Sequence, residues 1–252
     1  MELKGSVVLV TGANRGIGEA FVRAFLAAGA SKVYAACRDP ANAAHLVDEG
    51  AGKVVAVPLD VTAADSIAAV AARCDDVSIL VNNAGLFAMQ TLMTAPDLSA
   101  TRLEMETHYF GPLALCRAFA PVLARHKQSA IANVLSGASL VAIPGMGGYG
   151  PSKFAGRAMT TCVRAELAGQ NTSVTALIVG SVDTRMAAHV QGLKEKPSDI
   201  ARTALKAIAK GADEVDTDFM AIDARASLAR DPKGLERALR RSLTDAPVTT
   251  GR

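Results

Sequence analysis

The sequence predicts an α/β fold in which helices cover both faces of one parallel β-sheet. The apolar run from Val7 to Val10 does not alternate with polar residues, which is typical of a strand buried on both faces. Strand-like and helix-like segments then alternate along the chain, which predicts βαβ units with right-handed crossovers. A glycine-rich turn at residues 11–18 joins the first strand to the first helix.

The remaining elements follow from the same local patterns. The first helix spans residues 16–28, where apolar residues recur at helical spacing before Gly29 ends it. We expect further strands near 32–37, 53–58, 78–82, 130–135 and 173–179. We expect further helices near 41–49, 63–73, 98–124, 150–168 and 198–210, and a charged amphipathic helix at about 223–241. Residues 244–252 have the composition of a disordered tail.

The length and composition of the chain favour a single globular domain. The chain has 252 residues, half of them hydrophobic and a fifth charged, without an internal repeat or a linker-like segment. We therefore expect a single domain over 1–252 with its core at about 5–215. The net charge of +3 and the absence of a basic tract argue against a nucleic-acid partner.

The cysteine spacing and the hydropathy of the chain bear on metal sites, disulfides and membrane segments. Four widely spaced cysteines, with no paired spacing and no nearby histidine pair, predict reduced thiols rather than a metal site or disulfides. The amino terminus enters a strand almost at once instead of an apolar leader. No run of 18 apolar residues offers a membrane span. We expect a cytoplasmic protein with no membrane partner.

The glycines at 12, 16 and 18 are typical of a dinucleotide-binding turn. Residues without a side chain let the backbone turn tightly and approach a pyrophosphate, whose charge meets the helix amino terminus. Placed between a first strand and a first helix, the turn predicts a single-domain, Rossmann-type doubly wound parallel sheet, with the ligand at the carboxyl ends of the strands.

Two arginines bear on which nicotinamide cofactor binds. NAD specificity usually depends on a carboxylate at the end of the second strand, where this chain has Cys37 followed by Arg38. Arg15 lies in the glycine turn, and two guanidinium groups suit a 2′-phosphate. NADPH is therefore expected over NAD. The alternatives are that the arginines face solvent, or that Asp39 binds the ribose of NAD.

A tyrosine and a lysine are spaced to share one helix face. Tyr149 and Lys153 are four residues apart, and Gly150-Pro151 fits the first turn of a helix. A cation beside a phenol lowers its pKa and brings it toward acid–base chemistry. Alone, such a pair is more often an ordinary surface pair.

Together, Ser136, Tyr149-x-x-x-Lys153 and the turn from Thr11 to Gly18 resemble the short-chain dehydrogenase/reductase family. The resemblance implies that Tyr149 gives a proton to the substrate oxygen, Ser136 hydrogen-bonds that oxygen, and Lys153 holds the nicotinamide ribose. Asn82–Gly85, Asp60-Val61 and the segment 178–184 also match family positions. The expected cofactor contacts are Gly12, Asn14, Arg15, Gly16, Ile17, Gly18, Arg38, Asp60, Val61, Asn83, Ala84, Gly85, Tyr149, Lys153, Gly180, Val182 and Thr184.

The chain departs from the family pattern at two positions. His108 stands where relatives usually have asparagine, and Val179 stands where they usually have proline. Pro112 cannot donate to the carbonyl of His108, so that carbonyl is free for another partner. The imidazole either extends a proton path, as a fourth catalytic residue, or is a packed side chain without a chemical role.

The candidate residues for the substrate pocket are mostly apolar. Phe87, Met89, Met93, Met146 and Met186 are candidates for the wall, although a methionine is more often plain core. Ser139 either touches substrate or orients Ser136. Residues 185–197 form a short, helix-compatible substrate loop.

These observations predict an NADPH-dependent carbonyl reductase for a hydrophobic ketone or aldehyde. An NAD-dependent alcohol dehydrogenase is the first alternative, and a non-catalytic NADPH-sensing protein, supported by His108, is the second. The resemblance also implies a homodimer or homotetramer through the fourth and fifth helices. The apolar run at residues 113–123 is compatible with such an interface and equally with burial inside one subunit.

Overall fold

Seven parallel strands form one sheet in the computed structural model, which describes residues 1–244 and the side chains of residues 1–241. The strand order is β3-β2-β1-β4-β5-β6-β7. The fold class predicted from the sequence is confirmed. The strands are β1 Val7–Thr11, β2 Lys32–Cys37, β3 Val54–Pro58, β4 Ile79–Asn82, β5 Ser129–Val134, β6 Thr172–Ile178 and β7 Glu214–Asp216.

Helices fill the connections between the strands. They are α1 Gly16–Ala27, α2 Ala44–Glu49, α3 Ala64–Arg73, α4 Ser99–Met105, α5 Gly111–Leu123, α6 Tyr149–Glu166, α7 Pro197–Lys210, α8 Phe219–Arg230 and α9 Pro232–Thr244. Short 3₁₀ turns lie at Pro40–Ala43, Gly137–Ser139, Ala168–Gln170 and Arg185–Ala187. Within residues 1–244, no helix is both long and apolar enough to cross a membrane.

The core lies on both faces of the sheet. Along β1, Val8 and Val10 pack in one apolar cluster with residues of α1 and α7, whereas Leu9 packs in the other with residues of α3, α5 and α6. This is the two-residue period of a strand covered on both sides. Because all strands are parallel, the loops after their carboxyl ends meet at one edge of the sheet.

The predicted helix at 98–124 is continuous but contains one wide turn. Residues Glu106–Phe110 form a π-helical turn, in which the N–H of Gly111 donates to the carbonyl of Glu106, five residues back. Pro112 has no N–H to continue the regular ladder. The sequence had located this break, although it did not predict the form of the turn.

The carboxyl-terminal region differs from the sequence-based expectation in two respects, an additional strand and a divided helix. Strand β7 was not expected, because it has three residues and two of them are acidic. The single helix expected at 223–241 is two helices that separate at Asp231, because a proline at 232 disfavours a helical residue before it. The Asp231 carboxylate instead accepts the N–H of Gly234 at 2.8 Å. Most of the predicted disordered tail, residues 245–252, lies outside the described residues.

Asp218 joins the loop after β6 to α8. Its Oδ2 accepts the N–H of Gly180 at 2.7 Å and the hydroxyl of Thr217 at 2.9 Å, and its Oδ1 caps α8 by accepting the N–H of Ala221 at 3.0 Å. The side chain is 7% exposed. One buried carboxylate therefore fixes both the helix and the loop that carries residues 180–184 to the site.

We expect Asp218→Ala to lower the free energy of unfolding by roughly 2–4 kcal/mol, since it removes a helix cap and leaves the N–H of Gly180 without its charged acceptor. Urea denaturation measures the difference. Asp231→Ala is the matched control, because that carboxylate also accepts a helix-start N–H but is exposed. It should cost about 1 kcal/mol or less. Equal losses in the two variants would contradict the role given to Asp218.

Candidate active site

A cleft of about 2040 Å³ opens at the carboxyl edge of the sheet. Ligand pockets for single small molecules are usually about 300–1,000 Å³, so this cleft has room for a dinucleotide and a second molecule. Every residue expected to contact a cofactor lines it. They are Gly12, Asn14, Arg15, Gly16, Ile17, Gly18, Arg38, Asp60, Val61, Asn83, Ala84, Gly85, Tyr149, Lys153, Gly180, Val182 and Thr184.

The turn between β1 and α1 is a cradle that only glycines permit. Gly12 and Gly16 have φ of 63° and 59°, which side chains rarely allow. A Cβ on Gly12 would lie 2.9 Å from the Cα of Ala84, and one on Gly18 would lie 2.2 Å from the carbonyl of Gly12. This bare backbone at a helix amino terminus fits the pyrophosphate of a dinucleotide.

The end of β2 offers guanidinium groups and no free carboxylate. Arg15 and Arg38 are exposed and line the cleft. Asp39 does not line it, because its carboxylate accepts the N–H of Ala41 and the amide of Asn42, both at 3.1 Å. Asp39 is thus turned away from the cleft. A second carboxylate, Asp60, does line the cleft, and hydrogen bonds from Thr62, together with the charge of Arg38, hold its pKa below the usual range.

Ser136, Tyr149 and Lys153 meet at the opposite end of the cleft. Ser136 follows β5, where its Oγ accepts the N–H of Ala138 at 3.1 Å and lies close enough to the phenol of Tyr149 to lower the phenol pKa. Lys153 lies over the Tyr149 ring, with Nζ 5.6 Å from the ring centroid, and donates to the carbonyl of Val134 at 3.1 Å. The helical spacing read from the sequence does bring the phenol and the ammonium to one face.

The pKa values of this pair differ from the sequence expectation. Burial raises the pKa of the Tyr149 phenol, the hydrogen bond from Ser136 opposes that effect, and the negative charge of Glu104 adds to it. The expected lowering by Lys153 is not found. Burial lowers the pKa of Lys153 itself to about 8, because the same apolar surroundings disfavour every charged form.

His108 is held as a neutral, packed ring. Its Nε2 accepts the N–H of Leu86 at 3.1 Å, and its Nδ1 is 2.8 Å from Oγ of Ser152, whose hydroxyl donates to the Tyr149 carbonyl. Nδ1 therefore carries the proton. Burial, with the charge of Lys153, holds the His108 pKa well below its usual range.

The catalytic assignment of His108 is corrected accordingly. The ring is 3% exposed and does not line the cleft, so it cannot pass protons to solvent or touch substrate there. It packs edge-on against Tyr149, with ring centroids 5.3 Å apart. The second of the two sequence interpretations, a packed histidine, describes its place.

The substrate end matches the sequence only in part. Phe87, Met89, Met146 and Met186 line the cleft, but Met93 is 90% exposed and lies outside it. Ser139 is fully buried and donates to the carbonyl of Ser136 at 2.6 Å, so it orients Ser136 and does not touch substrate. Ile143 and Met220 also line the cleft and were missed because no motif marks them, whereas His189, another lining residue, belongs to the substrate loop expected at 185–197.

Comparison with known proteins agrees with this geometry. The family model described as short chain dehydrogenase matches residues 6–194. The chain belongs to the short-chain dehydrogenase/reductase family. It is thus related to oxidoreductases that act on small molecules with a nicotinamide cofactor.

Several members of the family resemble this chain over most of its length. Dehydrogenase/reductase SDR family protein 7-like from Anopheles gambiae is 33% identical over 89% of this chain and 78% of its own. Dehydrogenase/reductase SDR family member 7B from Mus musculus is 35% identical over 73% of this chain, but the match spans only 60% of the mouse protein.

Solved structures of family members superpose closely. A short chain dehydrogenase from Burkholderia cenocepacia in complex with NADP has a TM-score of 0.88 at 39% identity, covering 95% of this chain and 99% of its own. A short chain dehydrogenase/reductase from Burkholderia phymatum in complex with NAD has a TM-score of 0.83 at 23% identity, covering 94% and 96%. The second likeness speaks to the fold alone.

The lowered pKa of Lys153 predicts how stability depends on pH. Between pH 8 and 10.5 the unfolded chain holds a proton that the folded protein has lost, so the folded protein gains stability as pH rises. Relative to Lys153→Met, the wild type should gain about 3 kcal/mol from neutral pH to the upper end of that window. Denaturation of the nucleotide-free proteins in urea, repeated across this range, measures the gain.

The exposed Lys127→Met variant is the control for that measurement. Lys127 lies in a surface turn, so its removal should change stability by an amount that does not depend on pH over the same range. A Lys153→Met difference that is equally flat would show that the buried lysine keeps an ordinary pKa.

Proposed function

We propose that the protein is an NADPH-dependent carbonyl reductase that interconverts a hydrophobic ketone or aldehyde and its alcohol. The convergence of Ser136, Tyr149 and Lys153 beside the glycine cradle is the observation that carries this proposal. A hydroxyl, a phenol and an ammonium at one point are the groups needed to bind a carbonyl oxygen and protonate it.

NADPH, when bound, supplies the hydride that reduces the carbonyl carbon. The chain's own residues manage the oxygen and the proton. The Ser136 hydroxyl donates to the carbonyl oxygen, and the Tyr149 phenol gives that oxygen its proton. Burial raises the pKa of Tyr149, so the phenol keeps its proton at neutral pH, as the reductive direction requires. Lys153, which holds the nicotinamide ribose in relatives, would hold the same ribose here.

The preference for NADPH follows from the charges at the adenosine end. In the described part of the chain, neither Arg15 nor Arg38 forms an ion pair within 4 Å, so both can reach a 2′-phosphate. Asp39, the carboxylate that an NAD enzyme would use there, is committed to its turn. The relative from Burkholderia cenocepacia, which was crystallised with NADP, is in keeping with this preference.

The substrate class follows from the wall next to Tyr149. The Phe87 ring lies 5.3 Å from the Tyr149 ring, and Ile143, Met186 and Met220 are 36–48% exposed around the cleft. Exposed apolar side chains at a cleft favour an apolar ligand. Methionines adapt to varied shapes, which suits a range of hydrophobic ketones and aldehydes.

Two further proposals concern assembly and location. Leu103, Phe110 and Phe154 leave apolar surface exposed on α4, the adjoining π turn and α6, which supports a homodimer or homotetramer through this side of the protein. The cytoplasmic location expected from the sequence stays a prediction. The sensor alternative loses its only support, because the His108 ring is packed rather than poised in the cleft.

Tyr149→Phe should abolish carbonyl reduction with little change in nucleotide binding. Removal of the proton donor is expected to lower kcat roughly 100-fold or more. NADPH consumption against a panel of aliphatic and aromatic ketones and aldehydes measures kcat, and fluorescence titration measures NADPH affinity. Tyr109→Phe is the control, since Tyr109 lies outside the cleft. Tight NADPH binding without turnover of any carbonyl by the wild type would defeat the proposal.

Arg38→Asp should reverse the cofactor preference. It removes a charge-assisted contact to the 2′-phosphate and adds a repulsive carboxylate, so the NADPH-to-NADH affinity ratio should fall roughly 10- to 100-fold. Dissociation constants for both nucleotides measure the ratio. Arg73→Asp makes the same charge change on an exposed face of α3, outside the cleft, and should leave the ratio unchanged. A wild type that binds NADH more tightly would instead favour the alcohol dehydrogenase.

A further inference from the structure

Glu104, on α4, is a buried acid that the mechanism above does not use. Its side chain is 2% exposed. Within the described residues, Lys, Arg and His side chains form no ion pair with it, which is unusual for a buried carboxylate. Burial raises the pKa of its carboxyl group, and the backbone N–H groups of Ala88 and Gly148 oppose that rise.

Backbone from two different loops surrounds this carboxylate. The N–H of Ala88 donates to Oε1 at 2.9 Å, and Gly148 lies close to Oε2, where its N–H helps to lower the carboxyl pKa. The approach is close, since a Cβ on Gly148 would lie 2.9 Å from Oε2. At Gly147, where φ is 53°, a Cβ would lie 2.2 Å from the carbonyl of Gln90. The carboxylate thus lies where the two loops are pressed together.

Each of these loops carries one side of the reaction end. Ala88 follows Phe87, whose ring contacts that of Tyr149. Gly148 precedes Tyr149, the first residue of α6. A carboxylate at this position also meets the positive end of the α6 dipole, which favours its charged form.

We propose that Glu104 is a positioning residue for the proton donor: its carboxylate fixes the two loops that place the Tyr149 phenol, and it holds its charge beside Gly148, the residue that precedes Tyr149. The kinetic part of this inference rests on the proposed function. The geometric and electrostatic parts do not.

The sign of the charge effect follows from the groups around Tyr149. Lys153 faces the ring from the same helix, Ser136 faces the phenol from the turn after β5, and the neutral His108 packs from the π turn. His189 lies beyond Phe87, with ring centroids 5.7 Å apart. Glu104 is the carboxylate in this set, and its charge raises the pKa of Tyr149. Neutralising it should therefore move the phenol titration to lower pH.

The test compares Glu104→Gln with Glu106→Gln. Glutamine keeps the size and one acceptor oxygen of Glu104 but removes its charge, whereas Glu106 is exposed two residues further along the same helical segment. Ultraviolet difference titration of the nucleotide-free proteins follows the phenols. Subtracting the same spectrum with Tyr149→Phe added isolates Tyr149 from Tyr34 and Tyr109. Amide hydrogen exchange reports on the loops at residues 86–90 and 145–149.

We expect Glu104→Gln to titrate Tyr149 at lower pH and to speed exchange at Ala88 and Gly148 roughly tenfold, with kcat for carbonyl reduction down roughly tenfold at neutral pH. Glu106→Gln should match the wild type in all three. Glu104→Asp keeps the charge on a shorter side chain, so it should speed exchange while leaving the phenol titration near that of the wild type. This variant also keeps the inference testable if Glu104→Gln fails to fold.

An unchanged phenol titration in Glu104→Gln, or the same shift in Glu106→Gln, would overturn the charge effect. Unchanged exchange in both Glu104 variants would overturn the positioning role. If the wild type turns over no carbonyl compound, the proposed function fails, but the titration and the exchange still decide the role of Glu104.

Discussion

The hydroxyl of Thr11 joins the end of β1 to the loop after β4, and the geometry of the site depends on this contact. It accepts the backbone N–H groups of both Asn83 and Ala84 at 2.9 Å, and the amide of Asn83 returns a hydrogen bond to the Thr11 carbonyl at 2.8 Å. In the strand order, β1 stands where the connections to β2 and to β4 diverge. At such a switch point the loops part and leave a crevice for a ligand. The Thr11 contacts set the distance between its walls, which is why Gly12 tolerates no Cβ beside Ala84.

A second chain of buried polar contacts fixes the reaction end to the same sheet. The amide of Asn82 donates to Asn133 at 2.8 Å, the amide of Asn133 donates to Thr160 at 2.9 Å, and the Thr160 hydroxyl donates to the carbonyl of Gly156 at 2.7 Å. These bonds run from β4 through β5 to α6. Since α6 carries both Tyr149 and Lys153, these bonds tie the helix that holds both residues to the centre of the sheet. Buried networks of this kind favour one rigid arrangement.

Elements with a strong local pattern could be predicted from the sequence. The apolar runs predicted six strands. The glycines at 12, 16 and 18 predicted the cradle, because a positive φ or a close backbone approach favours glycine. Strand β7 has no apolar pattern in the sequence, since its residues Glu214 and Asp216 form ion pairs with Arg157 and Arg225 instead of packing in the core. Its place in the sheet depends on partners distant in sequence.

The candidate site was predictable in its residues but not in its electrostatics. The i,i+4 spacing brought Tyr149 and Lys153 together, yet spacing says nothing about burial, and burial decides both pKa values. The roles of Ser139 and Glu104 were hidden for a related reason. Each acts on backbone groups: Ser139 on the carbonyl of Ser136, and Glu104 on the N–H of Ala88. A sequence motif does not record which backbone group a side chain meets.

The histidine at 108 shows how a departure from a family pattern can leave the local chemistry intact. A side-chain amide offers an acceptor on one side and donors on the other, and a neutral imidazole offers one acceptor and one donor in the same way. His108 uses both, accepting from Leu86 and donating to Ser152. Burial keeps the ring neutral, so the exchange of amide for imidazole adds no charge beside Tyr149. Its carbonyl lies against Gly156, where a Cβ would approach to 3.0 Å, so the backbone course is set by the glycine on α6 and by Pro112 rather than by the side chain. Histidine can therefore stand at this position because its ring supplies the acceptor and the donor that Leu86 and Ser152 require.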